Sequence, residues 1–178
     1  MLDFDNYKPT IKAFVKAEVK RFVEVNPEVV LASAALYSHP VSGWVFLNFD
    51  SLENSQRFLQ EWEDPDDAGW VGKDEDGFFN NNCPDYDFFE FGRIDFDEWT
   101  DEVEENSVIV LMGLGSKMQI DLEEDGDEAL NKAFFSFFIS IIEELEAEGA
   151  FNSLPKAAGF RLGVQMLDSE FESFWVSG

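Results

Sequence analysis

The most strongly patterned segment of the chain is LNKAFFSFFISIIEEL, residues 130–145. Its apolar side chains return every three or four residues, the spacing that lines one face of an α-helix. Glutamates follow on the other side, and Gly149 is a typical helix stop. We therefore expect a phenylalanine-lined helix to be the central packing element, with these residues facing inward: Leu130, Ala133, Phe134, Phe137, Phe138, Ile141, Ile142 and Leu145.

A second amphipathic helix is predicted near the N-terminus. Capping side chains at residues 3–6 and Pro9 suit a helix start, and the apolar pattern ends near Asn26. The opposite face of this helix is basic and carries Lys12, Lys16, Lys20 and Arg21. Such a face is typical of a solvated surface, but it could also lie beside the acidic middle of the chain and neutralise part of it.

Between the two helices the chain favours strands. Residues 29–37 and 43–49 are rich in β-branched and aromatic side chains and flank a turn, which predicts a β-hairpin. A second hairpin is predicted for residues 107–114 and 118–122, and single strands for residues 85–96 and 159–167.

Shorter elements are also expected. Asp50 and Ser51 should cap a helix whose inward residues are Leu52, Phe58, Leu59 and Trp62. Turn-forming residues dominate positions 64–83, which predicts a surface loop of about twenty residues. One or two helical turns over residues 97–105 should be anchored by Trp99 and Val103.

The order of these elements indicates an α+β fold. Strands occur in adjacent runs, so a mostly antiparallel sheet is expected, with the long N-terminal helix and the Phe-rich helix packed on it. A length of 178 residues fits a single domain over residues 1–178, and neither internal repeats nor a linker is visible.

Acidic charge is concentrated in the middle of the chain, in what we call the acidic region (residues 51–106). The net charge is −26, and the acidic region holds 19 acidic against three basic side chains. Such a field raises the rate of encounter with a cationic protein and opposes binding to nucleic acid or anionic lipid. The expected partner is therefore a basic protein, with no nucleic acid and no membrane.

Large aromatic rings alternate with the carboxylates of the acidic region. Trp70, Phe78 and Phe79 sit among turn formers, where no helical or strand period buries them, and exposed rings within charge resemble binding hot spots. An alternative stays open, in which the rings are core and the acids are the solvated sides of strands and loops. The predicted partner-binding residues are Asp64, Asp66, Asp67, Trp70, Asp74, Glu75, Asp76, Phe78, Asp85, Tyr86 and Asp87.

Patterns for catalysis and metal binding are weak. His39, the single histidine, sits in a turn, and Cys83 lies among carboxylates that should raise the pKa of its thiol. Residues 121–127 resemble the start of an EF-hand loop, but Lys132 stands where the bidentate carboxylate is needed, so a helix-capping turn is expected. We predict no enzyme activity, no catalytic residue, no cofactor and no dedicated metal site, leaving weak divalent binding by residues 64–76 open.

Composition also predicts the compartment. A lone cysteine suits a reducing environment, and the longest apolar runs, residues 108–115 and 133–142, are too short to cross a bilayer. The expectation is a soluble cytoplasmic protein.

The layout resembles that of the small acidic immunity proteins of bacterial polymorphic-toxin and contact-dependent growth inhibition systems. The matching pieces are the N-terminal helix ending at Phe22 and Val23, the strand 31–37, the strand 43–50 with its following helix, and residues 160–168. The resemblance implies a protein without catalytic residues that binds and neutralises one cognate toxin domain.

The toxins of such systems are often nucleases with basic clefts, which an acidic protein is suited to block. Two other functions remain open from the sequence. One is an acidic nucleic-acid mimic or regulatory adaptor that binds a basic housekeeping protein, and the other is a carboxylate-based metal-binding protein.

Overall fold

The computed structural model describes residues 1–61, 71–74, 77–103, 107–112 and 116–178. The described helices are α1 (Phe4–Val25), α2 (Leu52–Gln60), α3 (Asp97–Val103) and α4 (Gly126–Ala147). The strands are β1 (Leu2–Asp3), β2 (Leu31–His39), β3 (Trp44–Ser51), β4 (Val71–Asp74), β5 (Gly77–Asn80), β6 (Phe88–Asp95), β7 (Ser107–Met112), β8 (Ser116–Asp121), β9 (Lys156–Met166) and β10 (Glu172–Val176). None of the helices in these ranges combines the length and the apolar character needed to cross a membrane.

Five strands form the main sheet in the order β10-β9-β2-β3-β6. Its neighbours are antiparallel except β2 and β9, which run parallel. Strands β1, β7 and β8 form a second sheet, and β4 pairs with β5. The predicted α+β class, the mostly antiparallel pairing and both hairpins are thereby confirmed, with residues 113–115 of the second hairpin outside the described ranges.

Helices α1 and α4 pack on one face of the main sheet, which we call its first face. Every predicted inward residue of α4 is buried, and so are the α1 residues Ile11, Val15 and Phe22. Trp99 of α3 is fully buried and stacks on Phe96 with ring centroids 4.3 Å apart, which confirms its predicted anchoring role. Burial of these large rings contributes strongly to the hydrophobic free energy of folding.

The basic face of α1 forms ion pairs with α4. Lys12 Nζ lies 2.9 Å from a carboxylate oxygen of Glu144 and 2.6 Å from one of Glu148. Lys8 and Lys16 complete the row at 2.7 Å from Glu144 and Glu148 respectively. These lysines are therefore not simply solvated. The acids they neutralise lie in the last turn of α4 and at its C-cap, outside the acidic region.

Helix α2 turns a polar face toward the protein, contrary to prediction. Ser51 caps it as expected, accepting a 3.0 Å hydrogen bond from the backbone N–H of Asn54. The buried residues, however, are Asn54 and Ser55. Trp62 lies outside the described residues, and the other predicted inward side chains are only half-buried: Leu52, Phe58 and Leu59.

Part of the predicted twenty-residue loop is regular structure. Strands β4 and β5 pair antiparallel, with Gly72 opposite Phe79 and Lys73 opposite Phe78. The ring of Phe79 lies against Gly72 so closely that a Cβ there would overlap it. The hairpin thus depends on a glycine that the sequence pattern indicated as a turn former.

The start of β9 bulges away from β2. Leu31 pairs with Lys156 and Ser33 pairs with Arg161. Between these two pairs β9 therefore contains three more residues than β2. Gly159, within the bulge, has φ of +72°, a conformation that favours glycine. After β9 the chain returns as β10, so the C-terminal residues dock on the sheet as an edge strand.

Candidate binding surface

Only part of the predicted binding set can be located. Asp74 is the last residue of β4, and the structure describes its backbone only. The members that lie outside the described residues are Asp64, Asp66, Asp67, Trp70, Glu75 and Asp76.

The two phenylalanines of β5 are half-buried and each lies beside a cation. Lys73 Nζ is 4.8 Å from the ring centroid of Phe78, and the guanidinium carbon of Arg161 is 4.2 Å from that of Phe79. Phe79 also lies near Phe174, with ring centroids 5.9 Å apart. Phe78 lines a cavity between α2, β5 and β9 together with Leu52 and Leu59, and it is half-buried like Phe79.

Residues 85–87 differ sharply in exposure. Asp85 is exposed, whereas Tyr86 is only 3% exposed and packs with Cys83, so its ring cannot contact a partner as predicted. Burial raises the pKa of the Tyr86 hydroxyl well above its usual value. Asp87 is also exposed, but its two carboxylate oxygens accept hydrogen bonds from Ser51, at 2.9 Å from the backbone N–H and 2.6 Å from the hydroxyl.

A buried carboxyl holds this segment to the sheet. Asp50 is fully buried and accepts hydrogen bonds from the side-chain amides of Asn54 at 2.6 Å and Asn80 at 3.4 Å. Asn54 also donates to the backbone carbonyl of Asp85 at 2.8 Å. Loss of hydration on burial raises the pKa of Asp50 to about 7. The sequence showed Asp50 only as a helix cap, although its place in the alternating strand β3 puts it on the sheet's second face.

The second face of the main sheet, opposite α1 and α4, also carries an aromatic cluster, defined by Tyr37, Trp44, Phe46 and Phe89. Trp44 and Phe46 stack with centroids 4.3 Å apart, and Phe89 meets Phe46 edge to face at 5.8 Å. Tyr37 and Phe46 are buried, while Trp44 and Phe89 remain half-buried. These four residues lie in strands that were predicted from the sequence, but no role was predicted for their rings. Side chains two residues apart in a strand share a face, which is why Trp44 and Phe46 lie on the same side of β3.

Exposed carboxylates are numerous in the described part of the acidic region. Two basic side chains of this region have partners within it. Arg93 forms an ion pair with Asp95 at 2.7 Å, and Arg57 donates a hydrogen bond to the side chain of Asn54. The described part of the acidic region therefore retains much of its negative charge at the surface. Its exposed carboxylates between β5 and the end of α3 are those of Asp85, Asp87, Glu90, Asp95, Asp97, Glu98 and Asp101.

The side chains considered for catalysis or metal binding have structural contacts. His39 Nδ1 lies 2.7 Å from the Ser42 hydroxyl, and burial raises the pKa of the Cys83 thiol well above its usual value. Asp121 and Asp125 accept backbone hydrogen bonds within the turn before α4, and the Asp125 side chain does not cap the helix. Across the described ranges, no group of three or more His, Cys, Asp or Glu side chains is placed to hold a metal ion.

Comparison of the chain with protein-family models, with curated proteins and with solved structures found no match.

Proposed function

We propose that this chain is a non-enzymatic immunity protein that binds and neutralises a cognate basic toxin domain of the nuclease type. The observation that carries the proposal is that the positive charges of α1 are paired within the molecule, whereas the negative charges of the acidic region are largely exposed. Lys8, Lys12 and Lys16 of α1 pair with Glu144 and Glu148, while many carboxylates of the acidic region are exposed.

The exposed carboxylates and the aromatic rings have different roles in the proposed binding. Exposed carboxylates steer a cationic domain into encounter and fix its orientation. Rings such as Trp44, Phe78 and Phe89 supply apolar area that slows dissociation once water is excluded. A cleft shaped to hold phosphate would accept the carboxylates as substitutes for the phosphates of its substrate. The lone, buried Cys83 fits action in the reducing cytoplasm of the producing cell.

Growth protection tests the proposal. The toxin candidate is the C-terminal domain of a large secreted protein encoded directly beside this chain, expressed from an inducible promoter in a host that lacks both. Co-expression of this chain should restore growth, and an unrelated acidic protein expressed at the same level should not. Persistent toxicity, together with no co-purification of the two proteins, would reject the immunity assignment.

Affinity capture from the producing bacterium separates this function from the housekeeping alternative. The tagged chain is loaded at low salt and eluted with rising salt. One toxin domain eluting late supports the proposal, whereas one housekeeping protein eluting late would replace the immunity function with a regulatory one.

A further inference from the structure

The segment between β5 and β6, which we call the strap (residues 81–87), packs on the second face of the main sheet without joining it as a strand. Its backbone-to-backbone hydrogen bonds stay within the strap or reach the start of β6, and they join Asp85 to Asn82, Tyr86 to Cys83 and Phe89 to Tyr86. Among the described residues, none of these bonds connects the strap to β2, β3 or β9. The strap can therefore leave the face without breaking a strand pairing of the main sheet.

The first half of the strap is held by side chains of β9 and β10. Asn81 donates to a carboxylate oxygen of Glu172 at 2.7 Å, and the backbone N–H of Cys83 donates to the side chain of Gln165 at 2.9 Å. The Cys83 side chain is fully buried. Hydrogen bonds of this kind each contribute little net free energy, so a segment held by them opens more easily than the strands it covers.

The second half of the strap is tied to the buried carboxyl of Asp50. Asn54 donates to that carboxyl at 2.6 Å and to the backbone carbonyl of Asp85 at 2.8 Å. Asn80, directly before the strap, donates to the other carboxyl oxygen of Asp50 at 3.4 Å. Both side-chain donors are neutral amides, and no lysine or arginine in the described ranges forms an ion pair with Asp50.

The surroundings of Asp50 oppose its ionised form. Burial raises the pKa of this carboxyl most, and the negative charge of Asp87 raises it further. Arg57 reaches Asp50 only through Asn54, and Arg161 lies on the far side of Ser33 in the sheet. The other titratable groups on the described elements around it are Glu53 of α2, Cys83, Asp85 and Tyr86 of the strap, and Glu172 of β10.

We propose that the strap is a pH-dependent latch, which is closed while Asp50 holds its proton and opens, with the rest of the fold intact, as Asp50 becomes charged. Opening brings water to the carboxylate and exposes the Cys83 thiol and the Tyr86 ring. It also releases Asp85 and Asp87, two members of the predicted binding set, so the pH controls how this part of the acidic region is presented. The latch operates whatever partner the chain binds.

The direction of the pH dependence follows from the hydration of Asp50 in the two states. In the closed state burial holds its pKa at about 7, whereas in the open state the hydrated carboxyl returns toward 3.8. Closure is therefore favoured most below pH 3.8, and this advantage is lost as the pH rises through about 7. Since one pKa unit is a factor of ten, the opening equilibrium constant should rise by about tenfold or more between pH 5.5 and pH 8.

The thiol of Cys83 reports opening directly, because it is the only cysteine of the chain and is fully buried. The original chain is treated with methyl methanethiosulfonate, a small neutral thiol reagent, and the modified fraction is followed by mass spectrometry. The same reaction on urea-unfolded protein corrects the rate for thiol ionisation at each pH. The corrected rate should rise by about tenfold or more from pH 5.5 to pH 8, and a constant rate would overturn the proposal.

A low concentration of urea separates opening of the strap from global unfolding. Opening of a short segment exposes little surface, so the corrected rate should change little in about 1 M urea, whereas labelling through global unfolding would accelerate steeply. Steep acceleration would show that the strap does not open with the rest of the fold intact, and would contradict the latch.

Two variants assign the parts of the latch. Asp50→Asn is neutral at every pH and should abolish the pH dependence of the corrected rate, whereas the exposed control Asp101→Asn should retain it. Asn81→Ala loses the bond to Glu172 and should raise the rate about fivefold at both pH values. A pH dependence that persists in Asp50→Asn would refute the role of Asp50. An unchanged rate in Asn81→Ala would refute the strap as the part that opens.

Discussion

At the scale of single residues, the buried carboxyl of Asp50 links three elements. Through Asn54 and Asn80 it joins β3 to α2 and to the end of β5. Its pKa is raised from 3.8 to about 7 by loss of hydration, so the folded protein prefers the protonated form. The stability that this proton contributes is complete below pH 3.8 and is lost as the pH rises through about 7.

Asp50→Asn should remove this pH dependence. A pKa difference of this size corresponds to roughly 4 kcal/mol across the whole range. Between pH 5 and pH 8 the free energy of unfolding of the original chain, measured with urea, should therefore fall relative to that of Asp50→Asn. Asp101→Asn, which changes an exposed aspartate, serves as the control. Parallel curves for the original chain and Asp50→Asn would show that Asp50 does not titrate in this range.

Gly163 is required by close packing between β9 and β10. A Cβ at this position would overlap the ring of Phe174, which lies across it. Gly163→Ala should destabilise the protein by about 1–3 kcal/mol, the usual cost of overpacking. Gly92→Ala is the matched control, because the atoms nearest to the added methyl belong to the flexible side chain of Glu18 and not to a ring.

Thermal unfolding of both variants measures the difference. Adding Phe174→Leu to Gly163→Ala should recover part of the lost stability by making room for the methyl group. Equal destabilisation by the two glycine substitutions would mean that Phe174 does not fix the position.

At the scale of elements, the ion pairs between α1 and α4 orient the two helices. Lys12 bridges Glu144 and Glu148, and hydrogen bonds from Lys12 and Lys16 lower the pKa of Glu148 to about 2. The row of charges is therefore intact at neutral pH, and its contribution is lost as the pH falls from 4.5 toward 2.

Lys12→Gln should lower stability by less than about 1 kcal/mol, as expected for ion pairs near the surface. The loss should shrink in 1 M salt, where the screening length is about 3 Å. Lys20→Gln is the control, because Lys20 makes one exposed pair with Glu24 at 3.8 Å. Urea unfolding at low and high salt checks the result, and a salt-independent loss for Lys12→Gln would indicate that the lysine acts through packing.

Element prediction succeeded where local pattern and burial agree. The helical period of α4 and the β-branched and aromatic content of β2 and β3 reflect how these elements meet the core, so they were visible in the sequence. Helix α2 misled because its buried face is held by hydrogen bonds from Asn54 and not by apolar contact. The β4–β5 hairpin was missed because Phe79 is fixed by Gly72 and Arg161, and Arg161 is distant in the chain.

At the scale of the whole molecule, the sequence located the charge but not the shape of the candidate surface. Tyr86 was predicted to bind a partner because its neighbours in the sequence are acidic. In the structure its ring is buried, because residues 80–87 pack against the main sheet. The bulge at the start of β9 follows from pairing between Ser33 and Arg161, which are distant in the chain. Such long-range pairing leaves no periodic signal.

The affinity for the partner should depend on where the negative charges lie in the protein more than on its net charge. The triple reversal Asp66→Lys, Asp67→Lys, Asp74→Lys and the triple reversal Glu124→Lys, Glu128→Lys, Glu143→Lys change the net charge equally. We expect the first set to reduce affinity for the toxin domain at least tenfold and the second set to change it little. Equal effects would mean that net charge alone attracts the partner, and circular dichroism of both variants verifies that they are folded.

The most direct measurement of the central claim is the binding of the purified chain to the isolated toxin domain by surface plasmon resonance over a range of salt concentrations. The account predicts a one-to-one complex whose association rate falls steeply with added salt, while the dissociation rate changes little because buried rings control it. Absence of binding at low salt, or weak binding to many basic proteins alike, would contradict it.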